Sequence, residues 1–157
     1  MRIIQFVFFL LTALLVFSGM HFYVFHRLTS YLEIERTRLM YTGVWGFIVL
    51  FFIATILEKT LSNPVTKVLY CSATIWLGII FFALFWFLLF ELLRWLWPWS
   101  LLWAGRGLII LTLATASIAY INAWQLHTRT INIYLPKLSE QVLAVHLSDI
   151  HLGTIHG

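Results

Sequence analysis

Charged residues are scarce in this sequence of 157 residues: only 10% are Asp, Glu, Lys or Arg, whereas 62% are hydrophobic. Soluble domains have about 25% charged and about 45–50% apolar residues, so a soluble globular fold is excluded. Intrinsic disorder is excluded as well, because it requires low hydrophobicity and high charge. The mean hydropathy of +0.94 indicates a polytopic membrane protein.

The sequence also has a single cysteine and no dense cluster of basic residues. Cys71 is the one cysteine, so no disulfide forms within the chain. The ten Lys and Arg residues give a net charge of +4, yet all of them lie outside the long apolar runs and form no dense block. This scatter predicts anchoring at a membrane surface. We therefore expect the lipid bilayer as a partner and no nucleic acid.

Four uncharged runs occupy residues 3–25, 39–57, 68–90 and 107–126. Each approaches the roughly 20 residues with which a helix crosses a bilayer. The sequence predicts an all-α transmembrane four-helix bundle over residues 1–126, in an integral, multi-pass protein of the plasma or inner membrane. A cleaved signal peptide is the alternative for the first run, but that run exceeds the usual apolar length of about 7–15 residues. Four helices put both termini on the same side of the membrane. Each side carries five Lys or Arg residues, so the positive charges do not determine which side is cytoplasmic.

A few residues inside or beside these runs carry expectations of their own. Small residues at 112–119 predict that the fourth helix is the centre of the bundle, with a cofactor groove as the alternative. Glu91 and Arg94 are three residues apart and predict an ion pair at a helix end, with a proton-relay Glu as the alternative. His21 and His26 are predicted as interfacial histidines rather than a metal site. The scarcity of ionisable residues argues against an ion-coupled transporter.

The tail after residue 126 has a different pattern. Residues 130–134 alternate and predict a strand, and the apolar run 142–147 predicts a second strand that leads into Asp149 and His151. Residues two apart on an extended segment project to the same side. A carboxylate and an imidazole together suit Zn, Mn or Fe. Asp-x-His alone is a weak motif, and an Asp that caps a turn beside an exposed His is the alternative.

Residues 143–153, LAVHLSDIHLG, resemble the first motif of the calcineurin-like metallophosphoesterases, and more closely the membrane-anchored branch of that family. The resemblance covers about residues 129–157. It implies that residues 127–157 begin an α/β metallophosphoesterase domain, with Asp149 and His151 as metal ligands. In the complete domain two divalent ions (Mn, Fe, Zn or Mg) support phosphomonoester or phosphodiester hydrolysis by a metal-bound hydroxide. His156 is a weaker candidate for contact with the substrate.

The remaining family motifs, G-D-x-x-D, G-N-H and G-H-x-H, do not occur in the sequence. We therefore expect an incomplete domain that is inactive by itself, as the N-terminal portion of a membrane-anchored phosphohydrolase. A site near the headgroups would suit a lipid-linked phosphate as substrate. The alternative is a small, non-enzymatic integral membrane protein with an interaction or scaffold role, in which Asp-x-His is accidental.

Overall fold

A computed structural model describes residues 2–96 and 99–125, which form four long helices joined by short connectors. The helices are α1 (Arg2–Tyr31), α2 (Arg38–Leu61), α3 (Pro64–Leu93) and α4 (Leu101–Ala123), with one 3₁₀ turn at Arg94–Leu96. All four helices are long and apolar enough to cross a membrane. The predicted four-helix bundle and the membrane class are thus confirmed. The strands predicted at 130–134 and 142–147 lie outside the described residues.

The helices are longer than the uncharged runs that predicted them. α1 continues past residue 25 to Tyr31, α3 begins at Pro64, and α4 begins at Leu101. The backbone hydrogen bonds of a helix continue past the apolar run, because polar and charged side chains near its end can extend their heads to the headgroup layer. An uncharged run therefore indicates the apolar part of a helix and not its ends.

The connector between α2 and α3 is a tight turn, and its sequence Ser62-Asn63-Pro64 is typical of turns. Ser62 ends α2 in the left-handed region, at a φ of 41°, and its N–H donates to the Glu58 carbonyl at 3.2 Å. Asn63 then caps α3 in a reciprocal pair of hydrogen bonds with Thr66, and Pro64 occupies the first turn. This short connector makes α2 and α3 antiparallel neighbours.

The centre of the described bundle is α3 and not α4. α1 and α3 each contact the other three helices, and α3 does so more extensively, whereas no contact joins α4 to α2 among the described residues. The prediction that α4 is central is therefore wrong. Its buried face is formed by Gly105, Leu108 and Thr112, and Ala114 and Ser117 are exposed. Small residues permit close helix approach, but their presence alone does not say whether they face a helix or lipid.

The two ends of the bundle are built differently. The arginine end comprises the ends of α1 and α3 and the starts of α2 and α4, and it carries Arg27, Arg36, Arg38, Arg94 and Arg106. The terminal end comprises the start of α1, the α2–α3 turn and the end of α4. The main hydrophobic cluster lies towards the arginine end and contains Val24, Tyr31, Ile80, Ala83, Phe87 and Leu108.

Candidate functional site

The predicted metal ligands Asp149 and His151, together with His156, lie outside the described residues. Within residues 2–96 and 99–125, no group of three or more His, Cys, Asp or Glu side chains is arranged to hold a metal ion. The metal site therefore stays a prediction. The described part of the chain instead holds polar clusters inside the bundle and one large groove.

Glu91 on α3 is the centre of the most connected polar cluster. Its Oε1 accepts a hydrogen bond from the Tyr31 hydroxyl and lies 3.2 Å from Arg27 Nε. Its Oε2 lies 3.4 Å from Arg94 NH1. The ion pair with Arg94 confirms the sequence-based prediction. The two partners on α1 were missed, because pairings between distant segments leave no periodic signal in the sequence.

The Glu91 cluster joins three helices. The Tyr31 ring is buried, and its centroid lies 5.7 Å from those of Phe87 and Phe90 on α3. A Cβ atom at Gly105 of α4 would lie only 2.9 Å from the Tyr31 Cβ, so this approach requires glycine. Two donors from α1 and one from the 3₁₀ turn thus hold the carboxylate, which favours a structural ion pair over a proton relay.

His21 forms a second polar contact between α1 and α3. Its side chain is only 3% exposed; Nδ1 donates to the Phe17 carbonyl at 2.8 Å, and Nε2 accepts from Trp76 Nε1 at 3.2 Å. Because an indole N–H only donates, the ring is the neutral Nδ1–H tautomer, with both nitrogens engaged. The prediction of interfacial histidines concerns their depth in the bilayer and stays a prediction; His21 is buried within the bundle, whereas His26 is exposed. The alternative of a metal site at these two histidines is not supported.

Glu58 is buried in the bundle, although the sequence places it just beyond the second apolar run. The sequence analysis ended the second apolar run at residue 57, but α2 continues to Leu61 and carries Glu58 into the bundle, where it is 7% exposed. Its Oε2 has no hydrogen-bond partner among the described residues. A buried polar atom without a partner loses its hydration and gains nothing in exchange, so Glu58 weakens the terminal end.

A groove of about 620 Å³ lies between α3 and α4 at the arginine end. Its lining includes Trp86, Phe90, Trp99, Trp103, Gly107 and Leu111. Trp99 and Trp103 are exposed, as expected of tryptophans that form an aromatic belt at the headgroup level. The Arg106 guanidinium lies over the Trp103 ring, with its carbon 4.8 Å from the ring centroid. The groove was missed because it depends on how two helices separate.

No family model, no curated protein and no solved structure matches this chain. The four apolar helices of the described residues define the class as a membrane protein. The resemblance of residues 143–153 to one family motif is the observation on which a functional assignment rests.

Proposed function

We propose that this chain is the N-terminal portion of a membrane-anchored, metal-dependent phosphohydrolase. The observation that carries the proposal is the segment LAVHLSDIHLG at residues 143–153, which follows the last of four membrane-spanning helices. A hydrophobic N-terminal region followed by this motif is the arrangement of the membrane-anchored calcineurin-like branch. The strands at 130–134 and 142–147 would begin the α/β catalytic domain.

The chemistry of the two proposed ligands fits this reaction. Asp149 would bind a divalent ion through its carboxylate and His151 through an imidazole nitrogen, a donor pair that suits Mn, Fe or Zn. Two such ions supply Lewis-acid stabilisation to the attacking and leaving oxygens of a phosphoester. The further ligands of the family would come from G-D-x-x-D, G-N-H and G-H-x-H motifs, which these 157 residues do not contain.

The anchor supports a substrate at the bilayer surface. Four helices return the chain to the side on which α1 begins, so residues 126–157 would start at the terminal end, at headgroup level. A phosphate linked to a lipid would reach such a site without leaving the bilayer. This location at the bilayer surface favours a phospholipid or a lipid-linked phosphate as the substrate.

The coding sequence beyond the Gly157 codon tests the proposal most directly. We expect G-D-x-x-D, G-N-H and G-H-x-H to follow in that order. A stop codon with no continuation in any reading frame would contradict the proposal and favour the non-enzymatic interaction or scaffold protein.

Activity of the longer protein provides the second test. Asp149→Ala should lower Mn-dependent hydrolysis of a chromogenic phosphodiester by at least about a hundredfold, since loss of even an outer partner of a metal ligand costs about 10–100-fold. Ser139→Ala, between the two predicted strands, is the matched control and should keep full activity and membrane insertion. The 157-residue chain alone should show no turnover with Mn or Mg. Full activity of Asp149→Ala would remove Asp149 from the site.

A further inference from the structure

We propose that the groove between α3 and α4 binds an anionic phospholipid, with its phosphate on Arg106 and one acyl chain between the two helices. The groove lies at the arginine end, on the opposite side of the bilayer from the proposed catalytic segment. The inference is therefore independent of the phosphohydrolase proposal and is tested without any activity measurement.

The size and lining of the groove fit an acyl chain. Its volume of about 620 Å³ lies within the range of about 300–1,000 Å³ that is typical of ligand sites. Apart from Ser100, the lining is aromatic, aliphatic or glycine. An ideal Cβ at Gly107 would meet no atom within 4 Å, so the wall of the groove is open at that position. A soluble polar ligand would gain little from such a lining, whereas a hydrocarbon chain fills it.

The depth of the groove places a headgroup at its mouth. Trp99 and Trp103 line the groove and are 57% and 68% exposed. Tryptophan prefers the level at which its ring is buried among acyl chains and its N–H reaches water. A lipid whose chain lies along these rings therefore has its phosphate beside the start of α4.

The charge at this position selects an anionic headgroup. Arg27 and Arg94 share the carboxylate of Glu91, whereas Arg106 makes no ion pair with a carboxylate in the described part of the chain. Its exposed guanidinium is held over Trp103, at the edge of the groove. A guanidinium binds phosphate oxygens in a bidentate manner. Arg106 would therefore bind the phosphate of an anionic phospholipid, and the apolar groove beside it would hold the acyl chain.

Lipid retention by the purified full chain tests the headgroup part of the proposal. The chain in detergent micelles is mixed with equal amounts of phosphatidylglycerol and phosphatidylcholine, and retained lipid is measured by native mass spectrometry. We expect about a fivefold preference for phosphatidylglycerol. Arg106→Gln should bring the ratio close to one, and Arg38→Gln, an exposed arginine at the same end, should leave it unchanged. Equal retention by the wild type, or an unchanged ratio in Arg106→Gln, would overturn the proposal.

Filling the groove tests the acyl-chain part. Gly107→Phe should lower retention of both lipids by at least about fivefold, because its Cβ would enter open space and its ring would occupy the groove. Gly46→Phe is the matched control: Gly46 is also an exposed helical glycine with open space around it, but it lies outside the groove. Equal retention by the two variants would contradict the proposal. Displacement of the lipid by inorganic phosphate would instead assign Arg106 to a site for the free ion.

Discussion

The arginine end of the bundle has a packed interior of large side chains, whereas the buried residues of the terminal end are small or polar. Tyr31, Phe87 and Ile80 belong to the core near the arginine end. Towards the terminal end, the buried residues come from α2 and α3 only, and they are Ala54, Glu58, Thr66 and Ala73. Residues 3–12 of α1 are exposed throughout. Fully buried residues therefore come from all four helices in one half of the described bundle, and from α2 and α3 alone in the other half.

This difference shows which contacts hold the anchor together. Lipid tails are as apolar as Leu or Phe, so helices in a bilayer associate through close packing and hydrogen bonds rather than through burial from water. The arginine end supplies both, through the Tyr31 ring contacts and the Glu91 cluster. We infer that the stability of the described bundle is concentrated at that end, and the four predictions below test this difference.

The largest effect is expected at Phe87, which is fully buried and stacks on Tyr31. Phe87→Ala should lower the free energy of unfolding by about 3 kcal/mol, because it leaves a cavity between α1 and α3. Phe8→Ala, at the terminal end, should cost less than about 0.5 kcal/mol, since such exposed substitutions have small effects. Titration of the full chain with sodium dodecyl sulfate, followed by circular dichroism, measures both. Phe85→Ala, a 53% exposed position on α3, is the control, and equal losses at all three positions would contradict the comparison.

Much of the described fold follows from the sequence. The number of helices comes from the length of the four uncharged runs, and the α2–α3 turn comes from Ser62, Asn63 and Pro64, whose local chemistry is independent of the rest of the chain. The pairing of helices does not follow, because apolar residues occur on every face of these helices. That is why α4, with its small residues, was wrongly placed at the centre.

The next largest effect concerns the close approach of α1 and α4. Gly105→Leu should lower the free energy of unfolding by about 2 kcal/mol, a typical cost of overpacking, because its Cβ would lie 2.9 Å from the Tyr31 Cβ. Gly19→Leu, on the exposed side of α1 with nothing within 4 Å, should be neutral or gain a few tenths of a kcal/mol from higher helix propensity. The same detergent titration measures both variants. A neutral Gly105→Leu would mean that α4 does not pack on Tyr31.

The carboxylates of Glu91 and Glu58 offer the most direct comparison of the two ends. Glu91→Ala should cost about 1.5 kcal/mol, because the buried Tyr31 hydroxyl loses its acceptor. Glu58→Ala should be neutral or stabilising, since Glu58 Oε2 is buried without a hydrogen-bond partner in the described residues. The free energies of unfolding of both variants, and of Glu33→Ala as an exposed control, are measured side by side. A greater loss of unfolding free energy for Glu58→Ala than for Glu91→Ala would contradict the inference that the arginine end is the more stable of the two.

The polar clusters were only partly predictable, for a physical reason. Residues i and i+3 on one helix lie on the same face, so the Glu91–Arg94 pair is visible in the sequence. The contacts of Tyr31 with Glu91 and of His21 with Trp76 join α1 to α3, and their geometry depends on how those helices pack. The candidate metal ligands Asp149 and His151 come from a local motif, and they stay predictions because they lie outside the described residues.

The smallest effect is expected where the two halves of the bundle meet, at His21. His21→Leu removes the acceptor for Trp76 Nε1 and should cost about 0.6 kcal/mol, the average for a polar contact between helices in a bilayer. His26→Leu, at an exposed position of the same helix, should be neutral, and His21→Gln should retain part of the stability because its amide oxygen also accepts a hydrogen bond. Replicate detergent titrations of the three variants resolve such a difference. Equal losses of unfolding free energy for His21→Leu and His26→Leu would contradict this prediction. They would mean that the tightly packed half of the bundle ends between His21 and Tyr31 and does not include the His21–Trp76 contact.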